Sequence, residues 1–550
     1  MSTEKQYAPI NPYIMKTDDG NVITDEGRRF LSDIVTNVDG KVYAFKEKAP
    51  GLIVAGAMAR LSRSPLDLRE IYLNEFVVDP DQINRLLQRV VTEYGDDSVQ
   101  QLMTMKLVVE DASNLLTKML ERGRLLAYLE RSTRYVFYDT KRNGKFRYYT
   151  APNLSGDLRG KYIDFMDRTF NAYSQAVRTL TDYFRTKHPE PAEAKDRQPW
   201  LNATRAQACD AARALLPAAT QSTVGIVGSA QGFDNMIMKM MSEELEEFRD
   251  TAASILEEVR KVAAPFFERT DIPTRGSMIS AYRHGTTANI RDYLETLAGG
   301  KLARFVFPDP KKDQVNRTEV NLLGFNPSDE FEIVGSILFS ESMQSMATIE
   351  KVVLTLSDEE KRNIILRYIG TRTNRRQRPG RAFEGIHYKW EILADYGAFR
   401  DLQRHRMVDE FEWEDLHPFG GYSQSADVAH AGLEKLFTER FNDSQEMYEI
   451  MVASGAKTEA QYVTLFGHNV RFRFTENARE AYHIHELRTS SQAHPCYKQI
   501  VREMHRQISI IHPTIAEGMK FVGTEGDDPA LTRLISEKLI QSKLAKLDAV

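Results

Sequence analysis

The chain has 550 residues, 42% hydrophobic and 27% charged, a composition of folded domains that excludes a wholly disordered or fibrous protein. A formal charge of −5 and a pI near 6.2 argue against nucleic acid as a partner, and two cysteines, Cys209 and Cys496, exclude a disulfide framework and a Cys-rich zinc site. No apolar run approaches the roughly 20 residues of a membrane span, and Met1–Asn11 lacks the apolar core of a secretion signal, so a cytoplasmic protein without a membrane partner is expected.

In chain order, the first expected helix is Leu52–Leu61. A second follows, with Ile83, Leu86, Leu87, Val90 and Val91 at helical spacing. Met103, Met105, Leu107 and Val109 alternate as in a strand. Ala112–Leu129 reads as a helical segment with a basic cluster, running into the polar loop Arg131-Ser132-Thr133-Arg134. An insertion near 148–200 holds a helix, Tyr162–Thr186, and a Pro-bearing loop, His188–Pro199. A helical pair comes next, Ala211–Pro217 and Phe233–Met241, then a Gly- and Pro-rich seam, Arg269–Val320.

After the seam the order restarts. Helices are expected at Glu332–Phe339 and Ser357–Tyr368, and a strand where Ile386, Tyr388, Trp390 and Ile392 alternate with polar residues. A basic segment, Arg404-His405-Arg406, and a second helical pair, Glu459–Phe466 and Asn477–Arg488, complete it. Arg404 stands 282 positions after Arg122, and Gln461 stands 248 after Arg213. This recurrence predicts a tandem duplication: a first repeat at 1–272, a second at 273–525 that begins with a linking segment 273–320, and a tail at 526–550. Each repeat is expected to be α+β, with a mixed or antiparallel sheet and long helices.

Several clusters carry chemistry. Arg404-His405-Arg406, at an expected strand–helix junction, suits a phosphate or an electron-rich ring, or is a solvated helix face. Asn477 can cap a helix, with Glu480 completing a capping-box-like pattern and Arg488 on the same face three turns on; this is an anion site or an ordinary amphipathic helix. Arg131–Arg134 offers a hydroxyl and guanidinium groups after Glu130, as a recognition loop or a polar turn. The run Arg372, Arg375, Arg376, Arg378, Arg381 suits nucleic acid, a cofactor's phosphate or glutamate tail, or solvent. His483 and His485 lie two apart on a helix and face different ways, so no metal site is expected, and Cys496 reads as a packing residue.

Taken together, these motifs resemble the flavin-dependent thymidylate synthases. The family pattern R-H-R-x-x-S-x-x-x-x-S-x-R keeps its spacing in Arg122-Gly123-Arg124-x-x-Ala127-x-x-x-x-Ser132-x-Arg134. Gly95-Asp96-Asp97-Ser98 is similar to its G-H-x-[ST] element without the His, and Ala212-Arg213-x-x-Leu216-Pro217 to its A-R-x-x-L-P element. The second repeat retains Arg404-His405-Arg406, Asn477-Ala478-Arg479 and the late Arg488. It has Asp409, Glu414 and Leu416 where Ser, Ser and Arg belong, and Gln461 for the A-R-x-x-L-P arginine. The first repeat has Ser229, Gln231 and Met240 in place of the N-A-R residues and the late Arg.

The losses are complementary, so the resemblance implies one composite site and one abandoned site per chain. Ser98, Glu130, Ser132, Arg134 and Arg213 would come from the first repeat, and Arg404, His405, Arg406, Asn477, Arg479, His483 and Arg488 from the second. The implied reaction is reductive methylation of dUMP to dTMP, with methylenetetrahydrofolate as carbon source and FAD, reduced by NADPH, as hydride source. Glu130, Ser132, Arg134, Arg213, Arg404 and Arg488 would bind substrate. Ser98, Glu130, Arg404, His405, Arg406, Asn477, Arg479 and His483 would bind the cofactor, and Arg488, at the uracil edge, is the catalytic candidate. A homodimer forming a pseudo-tetramer is implied. A related one-carbon transfer to another pyrimidine nucleotide, or a non-catalytic nucleotide- or nucleic-acid-binding relative, is the alternative. Whether the site forms within or between chains stays open at this stage.

Overall fold

The computed structural model describes residues 8–17, 20–61, 63–77, 97–298, 317–523 and a few positions between 534 and 542. The expected helix around Ile83–Val91, the residues Gly95 and Asp96, and most of the 526–550 tail lie outside the described residues. Two compact units each draw on several stretches of chain. One comprises Met1–Val109, Met119–Leu129 and Val224–Thr296; the other comprises Glu110–Lys118, Glu130–Thr223 and Leu297–Val550.

The first unit opens with an antiparallel meander, β1 (Ala8–Asn11), β2 (Ile14–Thr17) and β3 (Gly20–Ile23), which the sequence pattern had not announced. Helix Gly51–Leu61 covers the expected apolar stretch. A second sheet has the order β4-β6-β5, from β4 (Thr104–Ser113), β5 (Leu126–Glu130) and β6 (Gln221–Ser229). The expected helical segment Ala112–Leu129 is therefore shorter. The strand runs on to Ser113, the helix is Asn114–Leu120, and β5 follows. The alternation that begins at Met103 extends further than its apolar half, and a basic cluster is no helix signal. Helix Gly276–Ala298 occupies part of the expected seam despite its two glycines.

In the second unit, β7 (Glu319–Asn326), β8 (His387–Asp395), β9 (Asp409–Trp413) and β10 (Asn469–Asn477) form an antiparallel sheet in the order β7-β8-β10-β9. Tyr388, Trp390 and Ile392 are fully buried, as their alternation requires. The insertion forms helix Gly156–Lys187, but the expected loop His188–Pro199 is partly helix. Helix Ala194–Ala212 carries Pro199 inside its first turns. Pro199 is the sixth residue of that helix, so its missing amide hydrogen leaves out one internal helix bond that the rest of the helix tolerates.

Two of the sheets share one strand order. Strand order β4-β6-β5 matches β8-β10-β9, and β6 and β10 each lead into a helix, Ala230–Met241 and Ala478–Arg488. Within the second unit the repeats also pair with each other. Pro217 bridges Leu465; Ala218 N–H donates to the Thr464 carbonyl and Phe466 N–H to the Leu216 carbonyl, both at 2.8 Å. Ala219 N–H donates to Tyr462 at 3.0 Å and Gly467 N–H to Ala214 at 2.9 Å. Each pair of bonds interchanges when 248 is added to one set of numbers, the offset of these segments in the sequence. This is the reciprocal pairing of a two-fold interface, built within one chain.

Candidate functional site

Asp395 ends β8 and caps helix Tyr396–Leu402, its side chain accepting from the Ala398 amide at 2.9 Å. Arg404-His405-Arg406 falls in the turn between that helix and β9, so the expected strand–helix junction is instead a helix–strand turn. His405 is buried and Arg404 and Arg406 are exposed. Asn477 caps helix Ala478–Arg488 by accepting from the Glu480 amide at 2.9 Å. Arg131–Arg134 is a loop after β5, with the Ser132 hydroxyl accepting from the Arg134 amide at 3.1 Å.

Most of the residues expected from the two repeats converge in the second unit. Arg134 donates to both oxygens of Asp210, at 2.9 and 3.1 Å, and to the Tyr497 hydroxyl at 3.0 Å. Arg213, from the first repeat, lies 3.5 Å from the Asp401 carboxylate, which also takes the Arg404 guanidinium. Arg488 lies 3.8 Å from that carboxylate and donates to the Asp401 main-chain oxygen. Asp401 thus ties one arginine of the first repeat to two of the second. Burial alone would raise its carboxyl pKa; Arg404, Arg488, Arg213 and Arg134 overcome this and hold it far below the usual carboxylate range.

Glu130 is the second junction. It accepts from Arg400 at 2.7 Å and from Lys118 at 3.1 Å. Burial opposes its ionisation, but Arg400, Lys118 and Arg404 bring its pKa down to about 2. A cavity of about 40 Å³ lies among Glu130, Ser132, Arg134, Arg213, Asp401 and Arg404. Guanidinium groups held in place by buried carboxylates suit a small anion.

Beside this cluster, Arg488 Nε donates to His405 Nε2 at 2.7 Å, and His405 Nδ1 faces Glu480 at 3.5 Å. Burial, Arg488, His483 and Arg404 push the His405 pKa well down, so the ring is neutral. His483 stacks edge-on to it with ring centroids 5.4 Å apart, and its own pKa is lowered to about 4 by burial and by Arg378, Arg375 and Arg488. His405, Glu480 and His483 have the ligand atoms of a possible metal cluster within 4.8 Å of one another. The guanidinium groups around them disfavour a cation and favour an electron-rich ring with anionic groups. Burial raises the Glu480 pKa to about 8 against the pull of Arg378.

Other expected residues sit apart. Ser98 is exposed in the first unit. Arg479 donates to the Pro379 carbonyl at 3.0 Å. The arginine run is no single basic patch: Arg372 is buried and donates to both oxygens of Glu486 at 2.6 Å, Arg378 turns to Glu480, and Arg381 pairs with Glu384. The Cys496 thiol is pushed up by burial and by Asp395, unlike an activated nucleophile.

Sequence reading missed Asp401, Asp210, Arg400, Lys118 and Tyr497. One signal was available: Lys118 and Arg400 stand 282 positions apart, so they are equivalent residues of the two repeats. Both grip the same carboxylate. Nothing in the sequence marks Asp210 or Tyr497.

Segments from both halves of the chain therefore meet in one unit around a cluster of guanidinium groups and buried carboxylates. The chain belongs to the Thy1 family, "Thymidylate synthase complementing protein", which matches it in two segments, residues 47–265 and 332–514. A UPF0159 protein of Chlamydia muridarum is 29% identical over 515 residues, covering 90% of this chain and 95% of that protein. One from Thermoplasma acidophilum is 29% identical over 505 residues, 87% and 97% of the two chains. A flavin-dependent thymidylate synthase of Clostridium tetani is 26% identical over 222 residues, 40% of this chain and 81% of its own. Among solved structures, the UMP/dUMP methylase PolB from Streptomyces cacaoi bound with 5-Br dUMP is similar at 17% identity, with a TM-score of 0.32 over 38% of this chain. No described helix is long and apolar enough to cross a membrane.

Proposed function

We propose that the chain is a flavin-dependent methyltransferase of the thymidylate synthase type, acting on dUMP with methylenetetrahydrofolate as carbon donor and NADPH as reductant. The observation that carries this reading is the convergence of Arg134 and Arg213 with Arg404 and Arg488 on buried carboxylates within one chain. The opposite combination is disarmed: Gln461 accepts from the Leu416 amide at 3.0 Å and donates to the Thr458 carbonyl at 3.3 Å, bonds that offer no positive charge.

The cavity bounded by Ser132, Arg134, Arg213 and Arg404 would receive the nucleotide phosphate. Arg488, permanently charged, would stabilise negative charge growing on the pyrimidine ring. The neutral imidazoles of His405 and His483, with Arg404, Arg406 and Asn477 nearby in sequence and fold, would hold FAD; uncharged ring faces beside cations fit a flavin and its pyrophosphate. Bound there, FAD supplies the hydride. Two such chains would bring four repeats together as a homodimer.

Purified protein should take up FAD and show the visible flavin bands, with uptake lost in His405→Ala. A folded sample that takes up no flavin would overturn the reading.

A further inference from the structure

Arg488 Nε donates to His405 Nε2 at 2.7 Å. A guanidinium N–H is always a donor, so Nε2 is the bare, accepting nitrogen of a neutral imidazole, and the ring's single proton sits on Nδ1. The other tautomer would set two N–H groups head to head, and an imidazolium would place a second cation against Arg488. Burial, followed by Arg488, His483 and Arg404, keeps the ring uncharged. The proton on Nδ1 points toward Glu480, whose Oε1 lies 3.5 Å away.

Glu480 is itself set from two sides. Asn477 accepts from its amide at 2.9 Å, and its second oxygen lies 3.4 Å from Arg378 Nη1. Helix Ala478–Arg488 thus supplies both ends of a chain that runs Glu480, His405, Arg488, and the turn before β9 supplies the middle. At the far end the Arg488 guanidinium is held on two nitrogens, Nε by His405 and Nη2 by the Asp401 main-chain oxygen. The state of Glu480 suits its place. Burial raises its pKa to about 8, against Arg378 and Arg479 and with the help of Glu476. At neutral pH it is mostly a carboxylic acid, whose carbonyl oxygen accepts an N–H without drawing a second proton onto the imidazole.

We propose that Glu480 is a positioning residue: by keeping the His405 proton on Nδ1, it leaves the Nε2 lone pair aimed at Arg488 and so fixes that guanidinium for the reaction. Resting on the catalytic reading above, this assigns His405 a different task from that of an acid or base. Both its ring nitrogens are turned to protein groups, so it has no proton to exchange with a substrate and offers a ligand only its ring face.

The test uses the full chain. Glu480→Leu removes the acceptor, and Glu480→Asp keeps the carboxyl but withdraws it by one methylene. Each should lower kcat on dUMP about tenfold or more, the cost of a loosened catalytic group, with KM within about threefold and flavin uptake kept. Glu480→Gln, a neutral mimic of the acid with its carbonyl oxygen in place, should restore kcat to within about threefold of the parent. Nitrogen NMR on histidine-labelled protein, with the His405 signals assigned by their loss in His405→Gln, should show the parent's His405 protonated at Nδ1 and bare at Nε2, and a mixture of tautomers in Glu480→Leu. A parent His405 protonated at Nε2, or parental kcat in both Glu480→Leu and Glu480→Asp, would overturn the assignment. A folded parent without flavin uptake or turnover would instead sink the catalytic reading, while the NMR signal still decides the tautomer.

Discussion

Helices Ala230–Met241 and Ala478–Arg488 occupy matching places after the central strands of two sheets, and they differ in what they carry. Both follow the central strand of a sheet, and both start on a working cap: Ser229 accepts from the Gly232 amide at 3.2 Å, Asn477 from the Glu480 amide at 2.9 Å. They diverge in the last turn. Met240 is wholly buried in an apolar core, whereas Arg488 reaches Asp401 and His405. Capping and burial are needed by any copy that folds. A guanidinium aimed at a site is needed only by the copy that retains one. The same contrast holds at position 123, the counterpart of His405 in spacing: a side chain on Gly123 would begin 2.7 Å from the Tyr128 hydroxyl, so that ring would have to swing aside to admit one.

The largest effect should come from breaking the live combination. Arg134→Ala and Arg404→Ala each remove a guanidinium from the cluster and should lower kcat/KM by roughly 100-fold or more. Mixed chains of the two variants should stay inactive, since both residues serve one site in one chain; recovered turnover would mean that the site forms between chains.

Exchanging the two helix ends sharpens the contrast. Arg488→Met, the residue of the first repeat, should abolish turnover while the protein still folds. Met240→Arg, the reverse, should cost roughly 3 kcal/mol or more in a denaturant titration, because it buries a charge without a partner. If Met240→Arg is tolerated, the first copy's core is looser than its burial indicates.

A smaller effect tests the electrostatics of the second helix. Glu480 ionises near 4.5 when unfolded and near 8 in place. Between those values the folded chain holds a proton that the unfolded chain releases, so this contribution is full below about pH 4.5 and lost as pH rises through 8. Glu480→Gln should therefore melt progressively higher than the parent as pH rises from 5 to 8.5, by up to a few kcal/mol in stability. Parallel melting curves across that range would show that Glu480 is ionised in the fold.

The smallest effect is expected at Arg122→Ala, the equivalent of Arg404 in the disarmed copy. It should leave kcat/KM within about twofold and stability within about 0.5 kcal/mol. Turnover that falls with Arg122 instead of Arg404 would reverse the assignment of live and abandoned copies.

By itself the sequence determined the α+β class, and its motif spacing is what proposes a repeated order of elements and a division of functional residues between repeats. These follow from local signals: alternation at Tyr388–Ile392, helical spacing at Leu52–Leu61, a cap at Asn477, and motif spacing that survives substitution. It left open which atoms meet. Asp210 and Tyr497 are unremarkable in the chain and become Arg134's partners only because helices Ala194–Ala212 and Pro495–Ile511 belong to the same unit. Arg372 reads as one basic residue of a run, and only burial opposite Glu486 makes it structural. The pairing about Pro217 and Leu465, which brings segments of the two expected repeats together, is likewise a product of tertiary structure. Such contacts join residues some 250 positions apart, and no local pattern encodes them; they arise when two copies of one surface, each with unpaired backbone groups, satisfy each other.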